Sequence, residues 1–234
     1  MLAPAPYVFF QLFEPETSTY TYLLADGQTG EAVIIDSVLE MIERDYKWIT
    51  EAGLKLLYAI DTHLHADHVT GAGELKKRTG ARTAIAAAAK VGCADIALKD
   101  GDELRFGRFS LKALATPGHT DSCMSYYCEG RVFTGDALLI RGCGRTDFQQ
   151  GSSDKLYQSV HEKLFSLPPE TIVHPGHDYK GLTSTTVALE RAHNPRLGGG
   201  KTREQFAQIM RDLKLAPPKK IDVAVPANLK CGVV

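Results

Sequence analysis

Within Thr62-His63-Leu64-His65-Ala66-Asp67-His68, three imidazoles and one carboxylate fall inside six residues, a density of nitrogen and oxygen donors suited to a first-row transition metal. Further along, Pro117-Gly118-His119, Thr134-Gly135-Asp136 and Pro175-Gly176-His177 each set a His or an Asp on a glycine turn beside a β-rich run. Such turns expose a ligand at the end of a strand. The candidate ligands are therefore His63, His65, Asp67, His68, His119, Asp136 and His177. A metal that does chemistry needs a few such groups on rigid elements and an open coordination position. His63 and His65 alternate along an extended turn, so both rings are expected at one site, with Asp67 and His68 facing a second. Singly, each has a plainer reading, and Asp67 could simply cap the helix that follows; grouped, they point to a metal. His161 and His193 have no partner in the set, and His174 ends an apolar strand, so all three are read as structural.

Stepping outward, 234 residues with 44% hydrophobic and 24% charged content fit one α/β domain spanning 1–234, with a short irregular C-terminal strap from about 214. A formal net charge of -1 and no basic stripe exclude a nucleic-acid partner. The five cysteines are scattered and form no Cys-x-x-Cys pair, which argues against a disulfide framework or a zinc ribbon and for a reducing compartment. No run approaches the ~18 to 20 apolar residues of a membrane span, and the N-terminus lacks a signal-peptide pattern. The expectation is a soluble cytoplasmic protein, or one of the mitochondrial matrix in a eukaryote.

The elements that must carry these residues are short strands and flanking helices. Tyr7 to Phe13, Ser18 to Leu24 and Glu31 to Asp36 predict a three-stranded meander, and Val38 to Ala52 an amphipathic helix stopped by Gly53. Lys55 to Ile60 is the strand that feeds the histidine cluster, followed by a helix over Val69 to Arg78, a strand at Ala81 to Ala86, and an ambiguous Ala86 to Lys90. Glu103 to Phe106, Phe109 to Ala115, Ser122 to Cys128 and Arg131 to Thr134 predict a second meander with a Glu129-Gly130 hairpin turn. A helix over Lys155 to Phe165, a strand at Thr171 to Val173, and helices at Ser184 to Ala192 and Thr202 to Leu213 follow. Two β-rich halves flanked by helices predict a four-layer αββα sandwich.

The His63-Leu64-His65-Ala66-Asp67-His68 run with His119, Asp136 and His177 resembles the H-x-H-x-D-H pattern of the metallo-β-lactamase superfamily and implies that fold. The run Thr134 to Gln149, with Arg141-Gly142-Cys143-Gly144-Arg145 at its centre, is similar to the persulfide dioxygenases. His177-Asp178-Tyr179, Asn194-Pro195-Arg196-Leu197 and Val225-Pro226-Ala227-Asn228 resemble the same family. That resemblance implies one Fe(II) held by His63, His119 and Asp136, with His65, Asp67, His68 and His177 orienting ligands and water rather than binding a second metal. The implied substrates are glutathione persulfide and O2, with water consumed and glutathione and sulfite released. His177 and Tyr179 are the implied catalytic groups, and Arg145 and Tyr179 the implied substrate contacts; Arg145 could equally pair with Asp147, and Tyr179 be an ordinary half-buried tyrosine. Cys143 reads as a small residue in a tight turn and Cys231 as a redox-sensitive thiol. A homodimer is left open. The rival is a dinuclear glutathione thioester hydrolase of the glyoxalase II kind, in which all seven candidates would bind two metals.

Overall fold

The structure, a computed structural model, describes residues 7–215 and 220–232. Its first sheet opens with an antiparallel meander of β1 (Tyr7–Glu14), β2 (Thr19–Asp26) and β3 (Glu31–Ile35). To this are added, in parallel, β4 (Lys55–Ile60), β5 (Arg82–Ala86) and β6 (Ile96–Leu98). The second sheet runs β12-β11-β10-β9-β8-β7, built from β7 (Glu103–Phe106), β8 (Phe109–Ala115), β9 (Met124–Cys128), β10 (Arg131–Gly135), β11 (Ile172–Pro175) and β12 (Thr185–Thr186). Only the β10–β11 pair in it is parallel.

The two-residue period of the strands sorts side chains between layers. Leu24, Val33 and Ile35 point to the interface between the sheets, where they meet Leu111, Ala113, Tyr126 and Phe133 of the second sheet. Their neighbours Leu23, Ala32 and Ile34 point outward and pack on Ile42 and Ile49 of α1 (Ile42–Glu51) and Leu75 of α2 (Ala72–Thr79). On the far side, Val132 and Val173 are covered by Leu156 of α3 (Ser153–Ser159), Val187 of α4 (Val187–His193) and Phe206 and Met210 of α5 (Arg203–Asp212). Each buried Ile, Leu or Phe contributes about 1.5–3 kcal/mol, so both helical layers are tied down by their apolar stripes. This is the four-layer αββα arrangement.

Several local outcomes differ from the sequence reading. The strand β6 was not anticipated, because three residues are too few to show a period. The helix expected over Lys155 to Phe165 begins at Ser153 behind a Ser152 cap and ends in a π-helical turn over Val160–Leu164. The tail is not irregular throughout: Ile221–Asn228 forms α6, with Pro226 inside it. Its buried Ala224 and Ala227 pack on Val69, a tertiary contact that outweighs proline's poor propensity. Pro217-Pro218 lies outside the described residues. Two cysteines 138 residues apart, Cys93 and Cys231, are joined by a disulfide, a correction to the expectation of thiols throughout that only the folded neighbourhood of the two could reveal.

Four chain segments important to the site leave strand ends on one edge. β4 runs out at Ile60 into the His63–His68 turn, β8 at Ala115 toward His119, β10 at Gly135 before Asp136, and β11 at Pro175 before His177. The backbone amide of Met124 donates to Thr62 O at 2.8 Å, and that of Tyr20 to Gly176 O at 2.8 Å, stitching the two sheets together at this edge.

Candidate metal centre

The turn that follows β4 is shaped by a residue absent from the sequence candidates. Asp36, at the end of β3, sits in the left-handed region at φ 53°. Its carboxylate accepts from the Thr62 amide at 2.6 Å and the Thr62 hydroxyl at 2.8 Å. Because that hydroxyl gives its proton to Asp36, it receives the Nδ1–H of His63, 3.0 Å away. The bond chain sets the tautomer and leaves Nε2 of His63 as a lone-pair donor. Burial, then the neighbouring His65 and His119 rings, push the His63 pKa well below its ordinary value, so the ring is neutral and able to ligate.

His119 is fixed in the same way from another direction. Its Nδ1–H donates to the Arg145 carbonyl at 2.7 Å, and its Nε2 lies 3.6 Å from Asp136 Oδ2. A ligand nitrogen of each ring and a carboxylate oxygen of Asp136 lie within 4.8 Å of one another. Two glycines are required for this approach. Gly135 takes φ 49°, and a Cβ there would run into the Thr62 hydroxyl that holds His63. A Cβ on Gly144 would come within 2.8 Å of the His119 ring.

His177 bridges the two halves of the cluster. Nδ1 is 2.7 Å from Asp136 Oδ1 and Nε2 is 3.0 Å from Asp67 Oδ2, with the Thr19 hydroxyl 3.2 Å from the same nitrogen. Burial alone would lower the pKa of this ring, but the carboxylates of Asp136 and Asp67 raise it well above the ordinary value. Asp136 is buried too, which alone would raise its pKa; His177 first, then His119 and His63, hold it far down instead. The His177 ring therefore sits between two carboxylates that both favour its protonated form.

The remaining members of the His63–His68 run divide differently from the sequence expectation. His65 does not join His63: its Nε2 turns to Asp36 Oδ1 at 3.1 Å, and its ligand atoms group instead with Asp67 and His68. The cause is Asp36, whose buried carboxylate draws the ring away and, against the effect of burial, raises its pKa to about 9. His68 Nδ1 is 2.9 Å from Asp67 Oδ2. Buried His65 Nδ1 and His68 Nε2 have no hydrogen-bond partner. His174 packs against Phe9 and accepts from Arg131 at 2.9 Å, and His161 donates to the Leu197 carbonyl at 3.0 Å; both serve the structure, as read.

The imidazoles of His63 and His119 and the ionised carboxylate of Asp136, each oriented by a partner on its other side, fit a divalent first-row metal. They open into a cavity of about 480 Å³ whose lining includes Arg141, Arg145, Lys180 and Arg196. Arg145 engages Asp147 through Nε at 2.7 Å and Nη2 at 2.8 Å and also lines the cavity, so both of its expected roles are open to it. Tyr179 is 73% exposed, more open than the half-buried tyrosine of its plainer reading, with its ring parallel to His177 at 6.2 Å between centroids.

Residues 15–177 match the Metallo-beta-lactamase superfamily. The mitochondrial persulfide dioxygenase ETHE1 of Mus musculus is 51% identical over 98% of this chain and 90% of its own length. ETHE1 from Myxococcus xanthus, a solved crystal structure, is 52% identical and superposes with a TM-score of 0.94, over 97% of this chain and 100% of that one. The chain belongs to the persulfide dioxygenase family of the metallo-β-lactamase superfamily. A hydroxyacylglutathione hydrolase of Cereibacter sphaeroides is more distant, 34% identical over 77% of this chain and 71% of its own length.

Within this dioxygenase, sequence reasoning missed Asp36, Thr62 and Gln149, whose amide donates to the Leu64 carbonyl at 2.8 Å. Asp36 had one legible signal, an acidic residue at the end of the apolar strand Ala32-Val33-Ile34-Ile35. Sequence reasoning placed Asn228 in a family-like segment but gave it no role; its side chain reaches the His63–His68 turn across the fold.

Proposed function

We propose that this persulfide dioxygenase oxidises glutathione persulfide at a single Fe(II) held by His63, His119 and Asp136. Glutathione persulfide, O2 and water give glutathione, sulfite and two protons, a balanced four-electron oxidation of the terminal sulfur. The observation that carries the reading is the sharing of donors. Asp136 keeps Oδ2 toward His119, while its Oδ1 and Asp67 Oδ2 are both engaged by His177. A dinuclear hydrolase would need Asp67 and His177 free of each other for its second metal. When bound, Fe(II) supplies the one-electron chemistry that ground-state O2 requires and a soft enough acid to receive a persulfide sulfur.

The chain's own groups do the rest. His177 holds Asp136 by a charged hydrogen bond and keeps its proton, so the carboxylate cannot swing away from His119. The cations Arg141, Arg145, Lys180 and Arg196 in the cavity lining attract a doubly carboxylated thiol, and Arg145 can exchange Asp147 for one of its carboxylates. Tyr179, exposed beside His177, donates a hydrogen bond to the incoming persulfide. Among the described residues no helix is long and apolar enough to cross a membrane. With relatives named as mitochondrial, the site of action we assign is the cytoplasm or, in a eukaryote, the mitochondrial matrix.

The test is oxygen uptake by iron-reconstituted protein given glutathione persulfide, with sulfite and bound metal measured alongside. One iron per chain, with one sulfite formed per O2 consumed, supports the reading. Two bound zinc ions with thioester hydrolysis and no oxygen uptake would overturn it.

A further inference from the structure

The C-terminal segment lies directly on the turn that carries the proposed ligand His63. Asn228 is buried at 4% exposure and uses its whole amide there: Nδ2 donates to the His65 and His68 carbonyls, both at 2.9 Å, and Oδ1 accepts from the Thr70 amide at 2.8 Å. Those bonds span the descent from the histidine turn into α2, where Asp67 and His68 also sit. Three residues beyond, the Cys231 carbonyl accepts from the Gly73 amide at 3.1 Å. Neither Gly73 nor Gly232 could carry a Cβ, which would strike the Cys231 and Thr70 carbonyls. The segment is thus fitted backbone to backbone against the turn. Its apolar attachment is small, Ala224 and Ala227 on Val69, and the covalent one is the Cys93–Cys231 disulfide. Cys93 lies on an exposed loop before β6.

We propose that Asn228 is a positioning residue of the metal centre and that the Cys93–Cys231 bond sets how firmly it is held, so that thiols tune metal retention. The inference rests on the metal centre proposed above. A low-molecular-weight thiolate attacks the exposed Cys93 sulfur, forming a mixed disulfide and releasing Cys231, which takes a proton. A second thiolate then frees Cys93 and leaves as the thiol's own disulfide. Two electrons pass from two thiols to the protein bond. A thiol is also the product of the proposed reaction, so the reductant is of a class the enzyme itself generates. With the bond cut, the end of the segment is held only by exchangeable hydrogen bonds and frays more often, and Asn228, three residues away, lets the turn move.

The experiment follows metal release from the iron-loaded protein into a colour-forming chelator, and amide hydrogen exchange over residues 65–73, in four samples: oxidised, reduced and alkylated, Cys93→Ser, and Asn228→Ala. Reduced protein and C93S should match each other, releasing iron about 3- to 10-fold faster than oxidised protein, with faster exchange at 65–73. Reductant should add nothing to C93S. N228A should bind metal about 10- to 100-fold more weakly in either redox state, and the ligand-field spectrum of its Co(II) form should shift, which loss of stability alone would not produce. Equal release and exchange in oxidised and reduced protein would overturn the redox control, as would a thiol count showing that Cys93 and Cys231 never pair. Unaltered metal affinity and spectrum in N228A would overturn the positioning role. None of these readings uses persulfide, so a protein inert toward persulfide would sink the proposed reaction and leave this inference standing.

Discussion

The carbonyl oxygen of Arg145 accepts the Nδ1–H of His119 at 2.7 Å, so a residue that lines the cavity also orients a proposed metal ligand through its backbone. The two roles separate by mutation. In Arg145→Ala the carbonyl stays and the cation goes. Metal content should hold while KM for glutathione persulfide rises about 10-fold or more, the cost of one charge-assisted contact. Equal loss of metal and activity would show that the side chain, not the carbonyl, sustains the centre.

Asp136→Ala should abolish iron retention and leave the protein folded. The carboxylate is the anionic member of the ligand set, and its removal also takes one of the two anions from His177. Metal analysis together with circular dichroism decides the point. An Ala variant with full iron and full activity would refute the ligand assignment.

His177→Ala should destabilise the metal-free protein by about 3–5 kcal/mol near pH 7. The substitution leaves the half-buried carboxylates of Asp136 and Asp67 near each other without the cation they share. Urea titration of the apo protein reads this directly. A change under about 1 kcal/mol would mean that His177 is neutral in the fold.

His174 gives a pH dependence with a defined sign. Burial first, then the Arg131 guanidinium, lower its pKa to about 3. Below its ordinary value near 6.5 the unfolded chain takes up a proton that the folded protein refuses, so stability present above about pH 6.5 is lost as pH falls toward the folded value. The contribution at pH 5 is about 2 kcal/mol. His174→Phe keeps the packing against Phe9 and Phe133 and should flatten that part of the urea-midpoint profile between pH 7 and 5. An unchanged slope would show that other groups carry the acid sensitivity.

Much of the fold was legible because its signals are local. The β-branched and aromatic stretches of β2 and β3, the three- and four-residue spacing of α1 and the glycine stops after both first helices appear in the chain as written. β6 and α6 were not, since one is too short to show a period and the other is held by Val69, a residue far away in sequence. Local chemistry also announced His119, Asp136 and His177, because a ligand on a glycine turn after a strand is a pattern of a few residues.

What the sequence by itself determined was the inventory: which residues can bind a metal, which elements end beside them, and which superfamily they resemble. Tertiary structure alone decided how those donors are shared. His63 and His65 are equivalent in the chain, yet Asp36, 29 residues before His65, takes the one ring directly and holds the other through Thr62. Asn228 and Cys231 come to the same turn from the opposite end of the chain. Hydrogen bonds act over about 3 Å of space and are indifferent to sequence separation, so the allocation of each lone pair becomes fixed only when the two sheets close on one another.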